Sequence, residues 1–215
     1  MSVAYKAVYE GKTGEIVEKK SRFIATVFSI ESEEEALEII AKMKKKYWDA
    51  RHNCYAYVLG DNNQVQRFSD DGEPSQTAGK PMLDVLLAEQ IHNVLVVVTR
   101  YFGGTLLGTG GLVRAYSKAT KMGLDNSVLV DKVHGTRLSV KLDYSGAQKI
   151  NYIISQLEVY TIDTIYTDSV ELVVVVEDEK LDILMKDIKE ATNGNAKFEV
   201  INSGYFSIKD NKVIS

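Results

Sequence analysis

The sequence is poor in several residue types, and each shortage excludes a class of protein. Cys54 is the only cysteine among 215 residues, so no disulfide can form within the chain, and one cysteine with three scattered histidines gives no zinc signature. Only two prolines occur, which excludes a proline-rich linker. The longest uncharged apolar run, Val94–Val98, is far too short to cross a membrane. The N-terminal MSVAYKA lacks the apolar core of a signal peptide, so we expect a cytoplasmic protein with no membrane partner.

The chain also lacks a basic domain. It contains 26 Lys and Arg and 30 Asp and Glu, which gives a net charge of −4. Residues 1–130 contain 16 charges of each sign, whereas residues 131–215 contain 10 basic and 14 acidic side chains. The field of the whole protein therefore does not attract phosphate, and any nucleic-acid binding requires a local patch.

The order of the predicted elements indicates an α+β protein with two domains. Alternating residues over 15–30 predict a strand hairpin, and Ser32 with Glu35 forms a capping box before a helix. The run VLVVV within 93–101 is typical of a central strand. The last third of the chain follows the order β-α-β-β-α-β of a ferredoxin-like domain. We place the boundary so that the domains comprise residues 1–130 and 131–215.

A glycine-rich segment, TRYFGGTLLGTGGLVRAY, joins the central strand to a predicted helix. Such a turn can present backbone N–H groups to an anion. Gly103 and Gly108 have the spacing of a phosphate loop, but Thr109 and Gly110 stand where lysine and a hydroxyl residue are required. Val113 stands where a dinucleotide fingerprint starting at Gly108 requires glycine. Two interpretations remain open, namely structural glycines with positive φ and close packing, or a backbone site for a phosphate or RNA.

The binding hypothesis gains support from cationic side chains on both sides of this segment. Arg100 precedes the five glycines, Arg114 follows them, and Lys118 lies one helical turn further on. The candidate anion- or nucleic-acid-binding residues are Arg100, Gly103, Gly104, Gly108, Gly110, Gly111, Arg114 and Lys118.

A second candidate is the acidic loop DDGEPS, in which three carboxylates occur within four residues. Carboxylates at this density can bind a hard cation or act as acid and base. The simpler interpretation is a turn, with Ser75 or Thr77 capping the next helix. An intermediate possibility is that the acids pair with arginines and order the glycine segment. The residues assigned to support the site are Asp70, Asp71, Glu73 and Ser75.

Cys54 and His52 are two residues apart on a predicted strand and can face the same way. A nucleophilic pair also needs contact and an orienting group, which the sequence does not indicate, so we expect Cys54 to be a core residue. No catalytic residue, metal site or cofactor is predicted.

Three stretches of the sequence resemble the YigZ/IMPACT family. They are RHNCYAY at 51–57, FSDDGEPSQTAGKP at 68–81, and NVLVVVTRYFGGTLLGTGGLVRAY at 93–116. The second half is similar to the ferredoxin-like C-terminal domain of the bacterial members, so the resemblance covers nearly the whole chain. One departure is Gln76, where glycine is common in the family.

The resemblance implies an N-terminal α+β domain like that of a small-subunit ribosomal protein and domain IV of elongation factor G. It implies a C-terminal domain like the last domain of the same factor. The expected role is therefore non-catalytic binding of RNA, the ribosome or a translation factor, with an effect on translation. The kinase-regulating role of eukaryotic relatives is not extended to this chain, because it uses an additional N-terminal domain.

The alternative is an enzyme that acts on a phosphorylated or nucleotide substrate. It would use the acidic loop at 70–73 together with the glycine segment. This alternative requires the carboxylates to lie near the glycine segment and to be open to solvent.

Overall fold

The computed structural model describes residues 5–60 and 62–214, and the chain divides into two compact units. One unit comprises Tyr5–Val130, and the other begins at Asp131. Each unit combines helices with an antiparallel sheet, which confirms the α+β class. No helix of the described residues is long and apolar enough to cross a membrane.

The first unit is built on a five-stranded antiparallel sheet. Its elements in chain order are β1 (Tyr5–Glu10), β2 (Thr13–Glu18), β3 (Ser21–Ser29), α1 (Glu33–Lys46), β4 (His52–Leu59), β5 (Val65–Ser69), α2 (Gly79–Ala88), β6 (Ile91–His92), β7 (Val94–Tyr101) and α3 (Thr109–Asn126). The sheet has the order β2-β3-β7-β4-β5. Strands β1 and β6 form a short parallel pair outside this five-stranded sheet.

Strand β7 lies at the centre of this sheet, as its apolar run predicts. Val94, Val96 and Val98 pack in the cluster that contains the buried sides of α2 and α3. Leu95 and Val97 pack on the opposite face, in the cluster that contains α1. Because successive side chains alternate across a strand, a strand that is covered by helices on both faces is apolar throughout.

The same alternation continues to the end of β7 and positions a charged residue. Arg100 follows Val98 by two residues and therefore points to the face that α2 and α3 cover. Its side chain is 6% exposed. The Arg100 guanidinium is therefore buried between the sheet and α3, where its charge requires an acidic or hydrogen-bonding partner.

Helix α1 begins with the predicted capping box, which is confirmed. Ser32 Oγ accepts a hydrogen bond from the Glu35 N–H at 3.1 Å, and Glu35 Oε2 accepts one from the Glu31 N–H at 2.7 Å. Two of the N–H groups that a helix start leaves without helical partners are satisfied in this way.

The second unit has the predicted ferredoxin-like architecture. Its elements are β8 (Val128–Leu142, which begins in the first unit), α4 (Tyr144–Gln156), β9 (Tyr160–Tyr166), β10 (Val170–Glu177), α5 (Asp178–Ala191), β11 (Lys197–Lys209) and β12 (Lys212–Ile214). The strands pair in the antiparallel order β9-β10-β8-β11-β12. The inner faces of α4 and α5 share one apolar cluster with β8 and β10. The first four strands and two helices have the βαββαβ order, and β12 is a short addition.

Candidate functional site

Four of the five glycines of the glycine-rich segment have a structural reason, and for Gly111 it is that a Cβ there would lie 2.9 Å from the Cβ of Leu107. Gly104 and Gly108 have φ angles of +83° and +74°, which side chains rarely adopt. A Cβ on Gly103 would lie 2.1 Å from the carbonyl carbon of Lys20, so only glycine fits there. Gly110 is different, because it lies in the helix and has room for a side chain. The structural interpretation therefore accounts for the turn and leaves the helix start to be explained.

Helix α3 starts without a side-chain cap. Gly108 occupies the N-cap position and has no side chain that could accept a hydrogen bond. Within the described parts of the chain, nothing accepts a hydrogen bond from the N–H groups of Thr109, Gly110 or Gly111. These N–H groups and the helix dipole favour a negative charge at this end.

A pocket of about 360 Å³ adjoins this helix start. The glycine segment contributes Phe102 and Thr109 to its lining, and the acidic loop contributes Glu73. Arg100 from β7 and Arg51, which precedes β4, also line it. The pocket therefore combines cationic side chains and an aromatic ring with the uncapped end of α3.

An ion pair is buried in the wall of this pocket. Arg100 Nη1 lies 2.5 Å from Glu73 Oε1, and the two side chains are 6% and 3% exposed. The Tyr116 hydroxyl donates to the same carboxylate oxygen at 2.9 Å. The guanidinium also lies 5.3 Å from the ring centroid of Phe23 and 5.7 Å from that of Phe102. The intermediate interpretation of the sequence expects an acid of the loop to pair with an arginine, and Glu73 pairs with Arg100; the pair joins the acidic loop to β7.

Cys54 lies behind this ion pair as a core residue. Its thiol is 3.0 Å from the carbonyl oxygen of Asp70 and 3.4 Å from Tyr116 Oη. Burial raises the pKa of the Cys54 thiol far above its ordinary value, and burial likewise raises the pKa of Tyr116. Both groups therefore remain protonated, so Cys54 is not an activated nucleophile and Tyr116 remains a donor.

The His52 side chain bonds to the acidic loop and is not placed to take a proton from Cys54. Its Nδ1 donates to the Asp71 carbonyl oxygen at 2.8 Å, and its Nε2 lies 3.8 Å from Glu73 Oε1. The imidazole is thus directed towards the loop, and the Cys–His arrangement that nucleophilic catalysis needs is not formed by these two side chains.

Asp70 holds the start of α2. Its Oδ1 accepts hydrogen bonds from the N–H groups of Ala78 at 3.0 Å and Gly79 at 2.9 Å, and its Oδ2 accepts one from Gln76 at 2.8 Å. A carboxylate at this position satisfies helix-start N–H groups and complements the helix dipole. Asp70 is therefore a structural residue.

The predicted capping of this helix by Ser75 or Thr77 is wrong. Ala78 occupies the N-cap position and forms no side-chain cap. The Thr77 hydroxyl donates instead to the Pro74 carbonyl oxygen at 2.7 Å, and Ser75 is exposed. The turn brings the Asp70 carboxylate to the helix start, although Asp70 lies eight residues before Ala78. Capping rules consider only the residues next to the helix start, so they do not predict this contact.

Each of the three carboxylates of the acidic loop is engaged by other groups of the protein. Asp71 Oδ2 accepts a hydrogen bond from the Asn53 N–H at 2.7 Å, and Asp71 Oδ1 lies 2.5 Å from Lys44 Nζ. Asp70 and Glu73 are committed to α2 and to the buried ion pair respectively. Over the described residues, no group of three or more His, Cys, Asp or Glu side chains could hold a metal. The enzyme alternative requires solvent-open acids, and the observed contacts do not support it.

Gln76 occupies a conformation that suits glycine. Its φ is +60°, in the left-handed region that glycine adopts without strain. The Gln76 N–H donates to Asp70 Oδ2, which holds the turn in this conformation.

We expect Gln76→Gly to raise the free energy of unfolding by about 0.5 kcal/mol, because the strain relieved exceeds the added entropy of the unfolded chain. Urea denaturation followed by circular dichroism measures this change. Gln66→Gly, on the exposed strand β5, is the control and should lower the free energy of unfolding by about 0.5–1 kcal/mol. Equal losses in both variants would contradict the assignment of strain.

Two predicted cations lie on the other side of the helix start. Arg114 and Lys118 are exposed on α3 and, with Lys19, line a second depression of about 270 Å³ that also includes Gly111. Arg114 Nη1 lies 3.6 Å from the position of a Cβ on Gly110, so the guanidinium covers the first turn of α3. We call Lys19, Arg114 and Lys118 the basic ridge.

Within the described part of the chain, no acidic side chain forms an ion pair with the basic ridge. Lys121, one turn beyond Lys118, is paired with Glu89 at 2.8 Å and Asp125 at 3.0 Å. Arg114 and Lys118 have no acidic partner among the residues that the structure describes. Arg100 and Arg114 thus lie on different sides of the start of α3, and the predicted residues surround the helix end instead of lining one cavity.

Arg51 is a pocket residue that the sequence does not single out. Its guanidinium lies 6.0 Å from the ring centroid of Phe102, which is 41% exposed. The pairing of His52 with Arg100 brings the start of β4 next to the end of β7. This juxtaposition depends on strand register, so the sequence shows Arg51 only as a residue just before a predicted strand and as the first residue of the RHNCYAY stretch.

Comparisons with known proteins identify the family. A family model described as the Impact N-terminal domain matches residues 19–124, and one described as a domain of unknown function, DUF1949, matches residues 140–195. IMPACT family member YvyE of Bacillus subtilis is 40% identical over 193 residues, which cover 90% of this chain and 89% of that protein. IMPACT family member YigZ of Escherichia coli is 38% identical over 150 residues, which cover 69% and 74%.

A solved structure supports the same assignment. The crystal structure of a hypothetical protein matches with a TM-score of 0.59 and 31% identity, and the match covers 94% of this chain and 98% of that one. With two matching domain models and a relative that is similar along nearly its whole length, the chain belongs to the IMPACT family.

Proposed function

We propose that this protein is a non-catalytic, cytoplasmic RNA-binding protein that acts in translation, with RNA of the ribosome as its expected partner. The observation that carries the proposal is the uncapped start of α3 between a pocket with an exposed aromatic ring and the basic ridge. We call this combined surface the helix-α3 site. A translation factor as the direct partner is the other outcome that the family resemblance implies.

The helix-α3 site offers different groups to different parts of an RNA strand. The N–H groups of residues 109–111 suit one phosphate, because they have no partner in the described chain and lie at the positive end of the helix dipole. Arg114 and Lys118 supply charge for neighbouring phosphates, and the exposed ring of Phe102 supplies a stacking surface for a base. Such a local patch binds RNA in spite of the net charge of −4.

Fluorescence anisotropy with a fluorescein-labelled single-stranded RNA decamer tests the proposal. We expect affinity to fall steeply with salt, because binding releases counterions. The double variant Arg114→Ala/Lys118→Ala should weaken binding about tenfold at low salt and reduce the salt slope by about 1.4, since two phosphate contacts to a single strand are lost.

The control variant also removes two positive charges, but from a helix outside the helix-α3 site. Lys42→Ala/Lys45→Ala removes two exposed lysines from α1, on the opposite face of the sheet, and should leave affinity within about twofold. Undetectable or salt-independent binding, or an equal loss in the control, would overturn the proposal.

A further inference from the structure

The ion pair in the pocket wall leaves hydrogen-bonding groups of both kinds without partners. Arg100 and Tyr116 both engage Glu73 Oε1, and no residue in the described parts of the chain donates to Glu73 Oε2. Arg100 Nε is buried and also lacks a hydrogen-bond partner. Buried polar groups without partners carry a desolvation cost. Arg100 Nε is enclosed by the protein, so Glu73 Oε2 is the acceptor of this ion pair that a ligand in the pocket can use.

The remaining lining suits a flat ring. Phe102, Leu106, Leu112 and Pro74 make much of the pocket apolar, and its volume of about 360 Å³ is at the lower end of the range for small-ligand pockets. Arg51, which lies over the Phe102 ring, lines the pocket as a further cation. Thr109, whose N–H group is uncapped, also lines it, so a ring in this pocket would have its attached phosphate near the start of α3.

We propose that this pocket takes one unstacked guanine base of the bound RNA, an inference that rests on the proposed RNA-binding function. Guanine presents two adjacent donors, N1–H and N2–H, and the two lone pairs of one carboxylate oxygen can accept both; its two acceptors, O6 and N7, match an arginine. Glu73 Oε2 supplies the acceptor, and Arg51 supplies the donors. The two faces of the ring lie against the apolar lining and the Phe102 ring.

The other three RNA bases match the wall less well. Adenine and cytosine offer one amino donor next to a ring nitrogen that is an acceptor, and that acceptor would face the carboxylate. Uracil has its single N–H between two carbonyl oxygens, which the carboxylate repels. The pocket therefore discriminates by the order of donors and acceptors along the edge of the base.

Four fluorescein-labelled RNA pentamers, UUGUU, UUAUU, UUCUU and UUUUU, test this inference with the full-length protein. We expect UUGUU to bind about tenfold more tightly than the other three, the discrimination that one good base contact provides. A pentamer with inosine in the central position lacks only the N2 amino group and should lose a large part of that preference. Glu73→Gln, which replaces one acceptor oxygen by a donor, should bring the four pentamers within about twofold of one another.

The inosine pentamer keeps the test valid if Glu73→Gln does not fold, because it changes the ligand and leaves the protein intact. Equal, salt-dependent binding of all four pentamers would overturn the guanine assignment and leave the RNA-binding function standing. A preference for another base, or full affinity for the inosine pentamer, would also overturn it. Failure of every pentamer and of the decamer to bind would remove the RNA-binding function itself.

Discussion

Replacement of Glu73 by alanine is expected to lower the free energy of unfolding by about 3–5 kcal/mol. The substitution leaves the Arg100 guanidinium buried at 6% exposure without its counter-charge, and it removes the acceptor of the Tyr116 hydroxyl. An uncompensated buried charge costs more than the lost contact itself, because the desolvation of that charge is no longer offset. Urea denaturation followed by far-ultraviolet circular dichroism measures the loss.

Two comparisons separate this mechanism from a general sensitivity to mutation. Glu38→Ala removes one partner of the exposed Glu38–Lys42 pair on α1 and should change the free energy of unfolding by less than about 0.5 kcal/mol. The double variant Glu73→Met/Arg100→Met replaces both charges with apolar side chains and should recover much of the loss. A loss below 1 kcal/mol for Glu73→Ala, or a double variant as unstable as the sum of both single variants, would contradict the buried-pair account.

The second large effect is expected for Asp70→Ala, which should lower the free energy of unfolding by about 2–3 kcal/mol. This carboxylate accepts three backbone hydrogen bonds, from residues 76, 78 and 79, and all three donors lose their partner together. The start of α2 is affected most, since no other side chain caps it. Thermal and urea denaturation, analysed as a two-state transition of the first unit, measure the effect.

Asp143→Ala is the matched control for Asp70→Ala. Asp143 caps α4 and accepts one backbone hydrogen bond, from the Gly146 N–H at 2.9 Å, so its replacement should cost about 1 kcal/mol. Asp70→Asn keeps one acceptor oxygen and should fall between wild type and Asp70→Ala. If Asp70→Ala costs no more than Asp143→Ala, the three-bond role of Asp70 is refuted.

The parts of the fold that sequence predicts well are those with a strong local period or a local cap. The capping box at Ser32 and Glu35, the central strand with VLVVV and the βαββαβ order are properties of short windows, and the structure confirms them. Strands β1, β6 and β12 are missed. Strands β6 and β12 have two and three residues, and β1 has no clear alternation, so tertiary pairing decides all three.

The candidate site was predictable only in part, for a related reason. The glycine-rich turn before a predicted helix indicates a helix start that can receive an anion, and the sequence places Arg100 next to that turn. The Arg100–Glu73 pair joins residues 27 positions apart, and the approach of Arg51 to Phe102 depends on the β4–β7 register. Neither contact leaves a pattern within a short window, so single-sequence reasoning does not find the pocket.

The buried contact between Glu73, Arg100 and Tyr116 affects the free energy that ligand binding would spend on ordering this wall of the pocket. It connects the acidic loop to a central strand and to α3 at once, so this wall of the cleft is preorganised before any ligand arrives. A preorganised cleft spends little of its interaction energy on ordering loops. Recognition at this wall then resembles lock-and-key docking, in which affinity depends on how slowly the complex dissociates.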